Sequence, residues 1–93
     1  MCYGKNVTTL ASGTDLNTLA PGYYRTTLSD TTNSLVNRPS EVTGYLTWIA
    51  CIGLDTNNPQ TYRSQIMIAS HYGIFWRMSE SNNWGSWKKI SMS

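Results

Sequence analysis

Charged side chains are scarce in this sequence. Only 13% of its 93 residues are Asp, Glu, Lys or Arg, against about a quarter in an average soluble domain. The basic residues are scattered, and only Lys88 and Lys89 are adjacent, so the sequence lacks the clustered basic stripe that nucleic-acid binding needs. No apolar run approaches the roughly 20 residues of a membrane-spanning helix, and Met1–Lys5 lacks the apolar region of a signal peptide. We therefore expect no nucleic-acid partner and no membrane insertion.

Residues that bind metals or cofactors are also few. The chain has one histidine, His71, and two cysteines, Cys2 and Cys51, without the spacing of a metal site. A three-fold axis could bring three copies of His71 together, but a loop histidine is the simpler interpretation. Two free thiols are favoured over a Cys2–Cys51 disulfide, because one pair does not make a disulfide scaffold. We predict no cofactor and no bound metal.

The carboxylates give no support for catalysis. Glycoside hydrolysis needs two carboxylates about 5–10 Å apart across the scissile bond, and no local motif pairs any of those present. A Ser-His-Asp triad would have only His71 as its base, without a nucleophile-elbow motif. We therefore predict that the protein is not an enzyme; a small hydrolase would require a cleft with paired carboxylates. The acidic residues are Asp15, Asp30, Glu41, Asp55 and Glu80.

Strand signals dominate the second half of the chain. Tyr45–Ile52 is rich in β-branched and aromatic residues, and both of its faces are largely apolar, which predicts a central strand covered on both sides or with one face at an interface. Thr61–Ala69, Ile74–Met78 and Ser86–Ser91 follow, separated by short polar turns. Consecutive strands joined in this way predict an antiparallel meander.

The first half predicts less regular structure. Asp15–Leu19 begins with helix-capping residues and fits one helical turn, Gly22–Leu28 predicts a strand, and the polar stretch Ser29–Ser40 predicts a loop. The fold class is therefore mainly β, a small antiparallel β-sheet or sandwich of five or six short strands, with one short helical turn near the N-terminus and no long helix. We expect most of the core to come from large apolar residues of these strands, namely Trp48, Ile49, Ile52, Ile66, Ile68, Ile74 and Trp76.

Several short motifs, each present once, follow one another in a characteristic order from about Ser12 to Ile90. The main ones are Asp15-Leu16-Asn17, Gly22-Tyr23-Tyr24, Asn37-Arg38-Pro39, Gly44, Arg77 and Trp84-Gly85-Ser86-Trp87. In this order they resemble the knob domains of bacteriophage tail fibres and R-type pyocin fibres.

The resemblance implies a single knob-like domain over residues 1–93, a fragment or distal domain of a longer, homotrimeric virion tail fibre. It implies synthesis in the bacterial cytoplasm, action outside the cell, and recognition of host-surface polysaccharide. A spacer or trimerisation module without a ligand of its own is the alternative.

Three of the four tryptophans lie in the last quarter of the chain, and they carry the prediction of a binding site. Sugar rings stack on Trp and Tyr, while Asn and Arg bond hydroxyl groups. Trp84 follows two asparagines in a predicted turn and is the best candidate for an exposed ring, although packing across the turn is an equal alternative. The candidate glycan-binding residues are Tyr72, Arg77, Asn82, Asn83, Trp84 and Trp87.

Overall fold

The computed structural model describes residues 7–55, 57–58 and 61–90. Strands account for most of its regular structure. A 3-10 helix spans Leu16–Thr18, and a single α-helix, α1, spans Ser29–Ser34. Neither of these helices is long enough to cross a bilayer. The strands are β1 (Val7–Thr9), β2 (Gly22–Thr26), β3 (Thr47–Gly53), β4 (Arg63–Ala69), β5 (Gly73–Glu80), β6 (Asn83–Trp84) and β7 (Lys88–Lys89).

The strands form one sheet in the order β1-β2-β3-β4-β5-β6, and β7 also pairs with β5. Each pair of neighbouring strands from β2 to β5 is antiparallel. From β3 onwards these neighbours are also consecutive in the chain and joined by loops, so the predicted meander is confirmed. The mainly β fold is confirmed as a single sheet. One difference is that β1 lies parallel to β2 at the edge, with Val7 opposite Tyr23.

The predicted helical turn is confirmed, and its cap is the one expected. Asp15 precedes the 3-10 helix, and its Oδ1 accepts a hydrogen bond from the Asn17 backbone N–H at 2.9 Å. The prediction of a loop over Ser29–Ser40 was wrong in its first half, where α1 forms. A six-residue polar helix lacks the apolar periodicity from which helices are predicted. It is held by tertiary contacts: the buried Thr32 hydroxyl bonds Thr26 Oγ1 at 2.6 Å and the Tyr45 carbonyl at 2.6 Å.

The two faces of the sheet differ in burial. Side chains alternate between faces along a strand, and the inner face carries Ile49, Met67 and Phe75, which are almost fully buried. Residues 10–19 and 29–42, called here the covering segment, pack over this inner face. The core cluster consists of Leu10, Leu16, Leu19, Leu35, Val42, Ile49, Cys51, Met67, Ala69 and Phe75.

The predicted core was wrong except for Ile49. The other residues all lie on the opposite, outer face of the sheet. Ile52 and Ile68 are 43% and 47% exposed, and the rest are half-buried. The outer face lacks a covering layer within the described residues. Its apolar residues are Tyr23, Trp48, Ile52, Ile66, Ile68, Ile74, Trp76 and Met78.

Buried side-chain donors attach the covering segment to the inner face. Gln65 Nε2 donates to the Leu16 carbonyl at 2.6 Å, and Arg63 Nη1 donates to the Leu19 carbonyl at 2.6 Å. Such bonds satisfy carbonyl groups that irregular backbone would otherwise leave unpaired in the interior. Cys51 is a free, buried thiol, and Cys2, the other cysteine considered above, lies outside the described residues.

Candidate functional site

The last two strands bring three of the predicted site residues together at one edge of the sheet. Trp84, in β6, pairs with Ser79, and Lys88, in β7, pairs with Trp76. Because residues alternate between faces, Trp84 and Trp87 lie on the inner face beside Arg77. The three side chains form a stack, called here the Arg77 stack.

The guanidinium of Arg77 lies between the two indole rings. Its Cζ is 4.2 Å from the Trp84 ring centroid and 4.6 Å from that of Trp87. Arg77 is only 4% exposed, and its Nε and Nη2 both donate to Gln65 Oε1, at 3.0 and 2.8 Å. Arg77 therefore supports the rings from within the protein, and these two nitrogens are already engaged by Gln65.

A second arginine joins this layer. Arg63 Cζ lies 5.0 Å from the Trp84 ring, and within the described residues neither guanidinium has a carboxylate within ion-pair distance. Burial lowers the pKa of Arg77 to about 10. Among the neighbouring groups, Asp15 and Cys51 raise the pKa of Arg77, and the positive charge of Arg63 lowers it. Arg77 remains charged at neutral pH, so the ring faces and Gln65 stabilise a buried cation.

Both tryptophans of the stack also bond to the covering segment. Trp84 Nε1 donates to the Asn17 carbonyl at 3.4 Å, and Trp87 Nε1 donates to the Asn37 carbonyl at 2.7 Å. Both rings are half-buried. Trp84 is therefore not the freely exposed ring that its position in a turn suggested, and packing accounts for much of its surface.

Asn82 lies in the surface turn that the sequence predicted, whereas Asn83 is the first residue of β6. Ser81 and Asn82 have φ angles of 50° and 68°, which matches a two-residue type I′ hairpin loop between β5 and β6. Asn82 and Asn83 are exposed. Beside them is an open depression of about 480 Å³, called here the Trp84 cleft. Its lining residues are Met78, Glu80, Ser81, Asn83, Trp84 and Gly85.

A smaller cleft lies on the other side of the Arg77 stack. It has a volume of about 270 Å³ and is called here the Trp87 cleft. Lys89 and Glu41 meet at its wall, with Nζ 3.2 Å from Oε2. Sequence reasoning missed this site because its two sides are about 50 positions apart in the chain. The lining residues are Pro39, Ser40, Glu41, Phe75, Ser86, Trp87 and Lys89.

Tyr72 is the one candidate residue that lies elsewhere. It precedes β5, whereas Trp84 pairs with the last residues of that strand, about 20 Å further along. The Tyr72 ring packs edge-on to Tyr45 at 6.1 Å, and Tyr45 stacks on His71 with ring centroids 3.8 Å apart. Tyr45 and His71 both have positive φ angles, 61° and 79°. No residue pattern in the sequence signals this aromatic cluster.

Groups of three or more His, Cys, Asp and Glu side chains able to hold a metal are absent from the described residues. The carboxylate that lines the Trp87 cleft, Glu41, is paired with Lys89, and the one that lines the Trp84 cleft is Glu80. Each cleft is thus lined by one carboxylate, aromatic surface and uncharged polar groups. This chemistry suits the binding of a polar ligand with an apolar ring face.

Comparison with solved structures finds the same fold in pyocin tail fibres. An N-truncated R2-type pyocin tail fibre matches 91% of this chain with a TM-score of 0.76 and 17% identity. Fibres of the R2 and R1 pyocins of P. aeruginosa match 92% and 100% of the chain, with TM-scores of 0.77 and 0.74 and identities of 17% and 13%.

The present chain spans between 22% and 32% of the length of these structures. No protein-family model matches the sequence, and no curated protein sequence matches it. The fold expected from the motif order is thereby confirmed: the chain has the fold of a domain of R-type pyocin tail fibres.

Proposed function

We propose that this protein is a non-enzymatic module of a phage-type tail fibre that helps the virion to recognise a polysaccharide of the bacterial surface. The observation that carries the proposal is the likeness to tail fibres over nearly the whole chain. In this setting the chain is made in the bacterial cytoplasm and acts outside the cell, as part of the virion. The aromatic rings and exposed asparagine amides at the edge of the sheet support the choice of ligand.

The glycan contacts the β5–β7 edge of the sheet in this proposal. Asn82 and Asn83 offer exposed amide groups to sugar hydroxyls, and the half-buried rings of Trp84 and Trp87 offer apolar surface to the C–H faces of a sugar. Arg77 holds the two rings in place. A pre-organised ring surface loses little conformational entropy on binding. The clefts are open, so each copy binds weakly.

The outer face of the sheet supports assembly as a homotrimer. Four strands about 4.8 Å apart and about six residues long present roughly 400 Å² of flat surface, which is within the roughly 300–600 Å² of the largest apolar patch on a typical monomer. Three such faces meeting around an axis would bury about 1,200 Å² in all, or about 400 Å² for each pair of subunits, well below the roughly 1,200 Å² at which stable two-chain interfaces begin. We therefore expect weak association of the isolated domain, which the rest of the fibre would strengthen through effective concentration.

Titration with a purified envelope polysaccharide of the host tests the proposal. Tryptophan fluorescence is the readout, because Trp84 and Trp87 lie at the binding edge. Asn83→Ala should weaken binding about 3–10-fold without changing the melting temperature, since the Asn83 side chain is exposed. Thr27→Ala, an exposed residue beyond the end of β2, is the matched control. If the wild-type trimer binds no envelope fraction, the chain is a spacer and the proposal is wrong.

A further inference from the structure

We infer that the Trp87 cleft binds a single sugar ring that carries a negative charge, on a carboxylate or a phosphate substituent. The inference rests on the glycan-binding function proposed above and adds to it a place and a ligand class.

The size of the cleft limits the ligand to about one ring. Its volume is about 270 Å³, whereas pockets for drug-sized ligands start at roughly 300 Å³. The half-buried ring of Trp87 supplies the accessible apolar wall, since Phe75 behind it is almost fully buried, and Ser40 and Ser86 add hydroxyls. Apolar ring surface facing several hydroxyl donors is the composition that a pyranose requires, because one face of the sugar is C–H and its rim is hydroxyl.

The charges around the cleft favour an anion. Lys89 reaches its wall, Arg77 lies behind the Trp87 ring, and Arg38 anchors the neighbouring loop by donating to the carbonyls of Val42 and Leu35. Glu41 is the single carboxylate among the residues that line the cleft. A cationic ligand is disfavoured for a second reason, because the guanidinium of Arg77 already engages the electron-rich face of the indole.

The ion pair at the wall can exchange its partner at low cost. Lys89 and Glu41 are each about half exposed, with Nζ 3.2 Å from Oε2, and exposed pairs of this kind contribute little to stability. A ligand carboxylate or phosphate can therefore take the Lys89 ammonium through a charge-assisted hydrogen bond. Glu41 then competes with the ligand for Lys89. A variant that removes the charge of Glu41 should therefore strengthen binding.

Amide NMR titrations of the protein test the inference with four probes: methyl glucuronide, methyl glucoside, glucose phosphate and inorganic phosphate. We expect at least one charged sugar to shift the amide signals of Ser40, Ser86 and Lys89 and to bind several-fold tighter than the neutral glucoside. The stronger of the two charged sugars identifies the substituent. Binding should weaken with added salt, because the Lys89 contact is exposed. Equal affinity for glucoside and charged sugars, or for phosphate ion and sugar phosphate, overturns the inference.

Two variants with opposite expected effects separate recognition from simple disruption. Lys89→Gln should weaken binding of the charged sugar about 5–10-fold and leave binding of the glucoside unchanged. Glu41→Gln should strengthen binding of the charged sugar about 2–5-fold. Lys88→Gln is the matched control, since Lys88 is next to Lys89 in the chain but its side chain lies on the outer face. Loss of binding in both Lys89→Gln and Glu41→Gln would mean that the pair is structural, and the inference would fail.

The titration distinguishes failure of this inference from failure of the proposed function. If the envelope polysaccharide binds but shifts only the amides of the Trp84 cleft, the inference is wrong and the glycan-binding function stands. If the polysaccharide produces no shift anywhere, both are wrong.

Discussion

The two neighbouring residues Met67 and Ile68 test the assignment of inner and outer faces. Met67 is fully buried and Ile68 is 47% exposed, although the sequence alone favoured Ile68 for the core. Met67→Ala removes a side chain from the centre of the core and should lower the free energy of unfolding by about 2–5 kcal/mol. For a domain of this size that corresponds to a fall in melting temperature of roughly 10–30 °C.

Ile68→Ala should behave differently. Fully burying an isoleucine contributes roughly 1.5–3 kcal/mol, and Ile68 achieves about half of this burial in the single chain, so its loss should cost about 1 kcal/mol. Urea denaturation followed by far-UV circular dichroism, at concentrations where the wild type is monomeric, measures both values. Equal costs for the two variants would refute the strand register. A cost for Ile68→Ala that grows with protein concentration would support an interface on the outer face.

Further predictions concern the stack, a tight turn and the outer face. Trp84→Ala should lower the free energy of unfolding by about 2–4 kcal/mol, because the ring covers two buried guanidinium groups; an unchanged thermal melt would mean that Trp84 is only a ligand contact. Gly44→Ala should cost about 1 kcal/mol, since its Cβ would lie 2.6 Å from Ser29 Oγ and displace the hydroxyl that binds the Tyr45 N–H. In a Ser29→Ala background Gly44→Ala should cost less, and additive costs would exclude this explanation. Ile68→Asp should prevent trimer formation in sedimentation equilibrium, whereas Thr27→Asp should not.

The sequence predicted the strands well but not their orientation. In β4 and β5 the outer face includes Ile66, Ile68, Ile74 and Trp76, whereas the inner face combines core residues such as Met67 and Phe75 with three polar ones. These polar residues are Arg63, Gln65 and Arg77. The usual rule places the apolar set inside. In these two strands the inner face also takes long polar side chains, because they donate to backbone carbonyls of the covering segment and stack on tryptophan rings. Alternation along a strand cannot reveal such partners, since they lie up to 49 positions away.

The candidate site was predicted in part for a related reason. Asn82, Asn83 and Trp84 are adjacent in sequence, so a local pattern was enough to group them. The Trp87 cleft joins β7 to the loop at Pro39–Glu41, and only the tertiary fold brings these segments together. The cluster of Tyr45 with His71 depends on positive φ angles at both residues, which nothing in residue type announces for a tyrosine.

Four of the six motifs behind the resemblance to tail fibres meet in one layer of the structure. Asp15 Oδ1 accepts a hydrogen bond from Asn37 Nδ2 at 2.8 Å, and the Asn37 carbonyl accepts from Trp87 Nε1. Trp87 in turn packs on Arg77, whose other ring partner, Trp84, bonds to the carbonyl of Asn17. Residues far apart in the chain thus fasten the covering segment to the edge of the sheet. Because these motifs hold the fold together, their presence predicts the architecture, while ligand choice depends on the exposed residues around the two clefts.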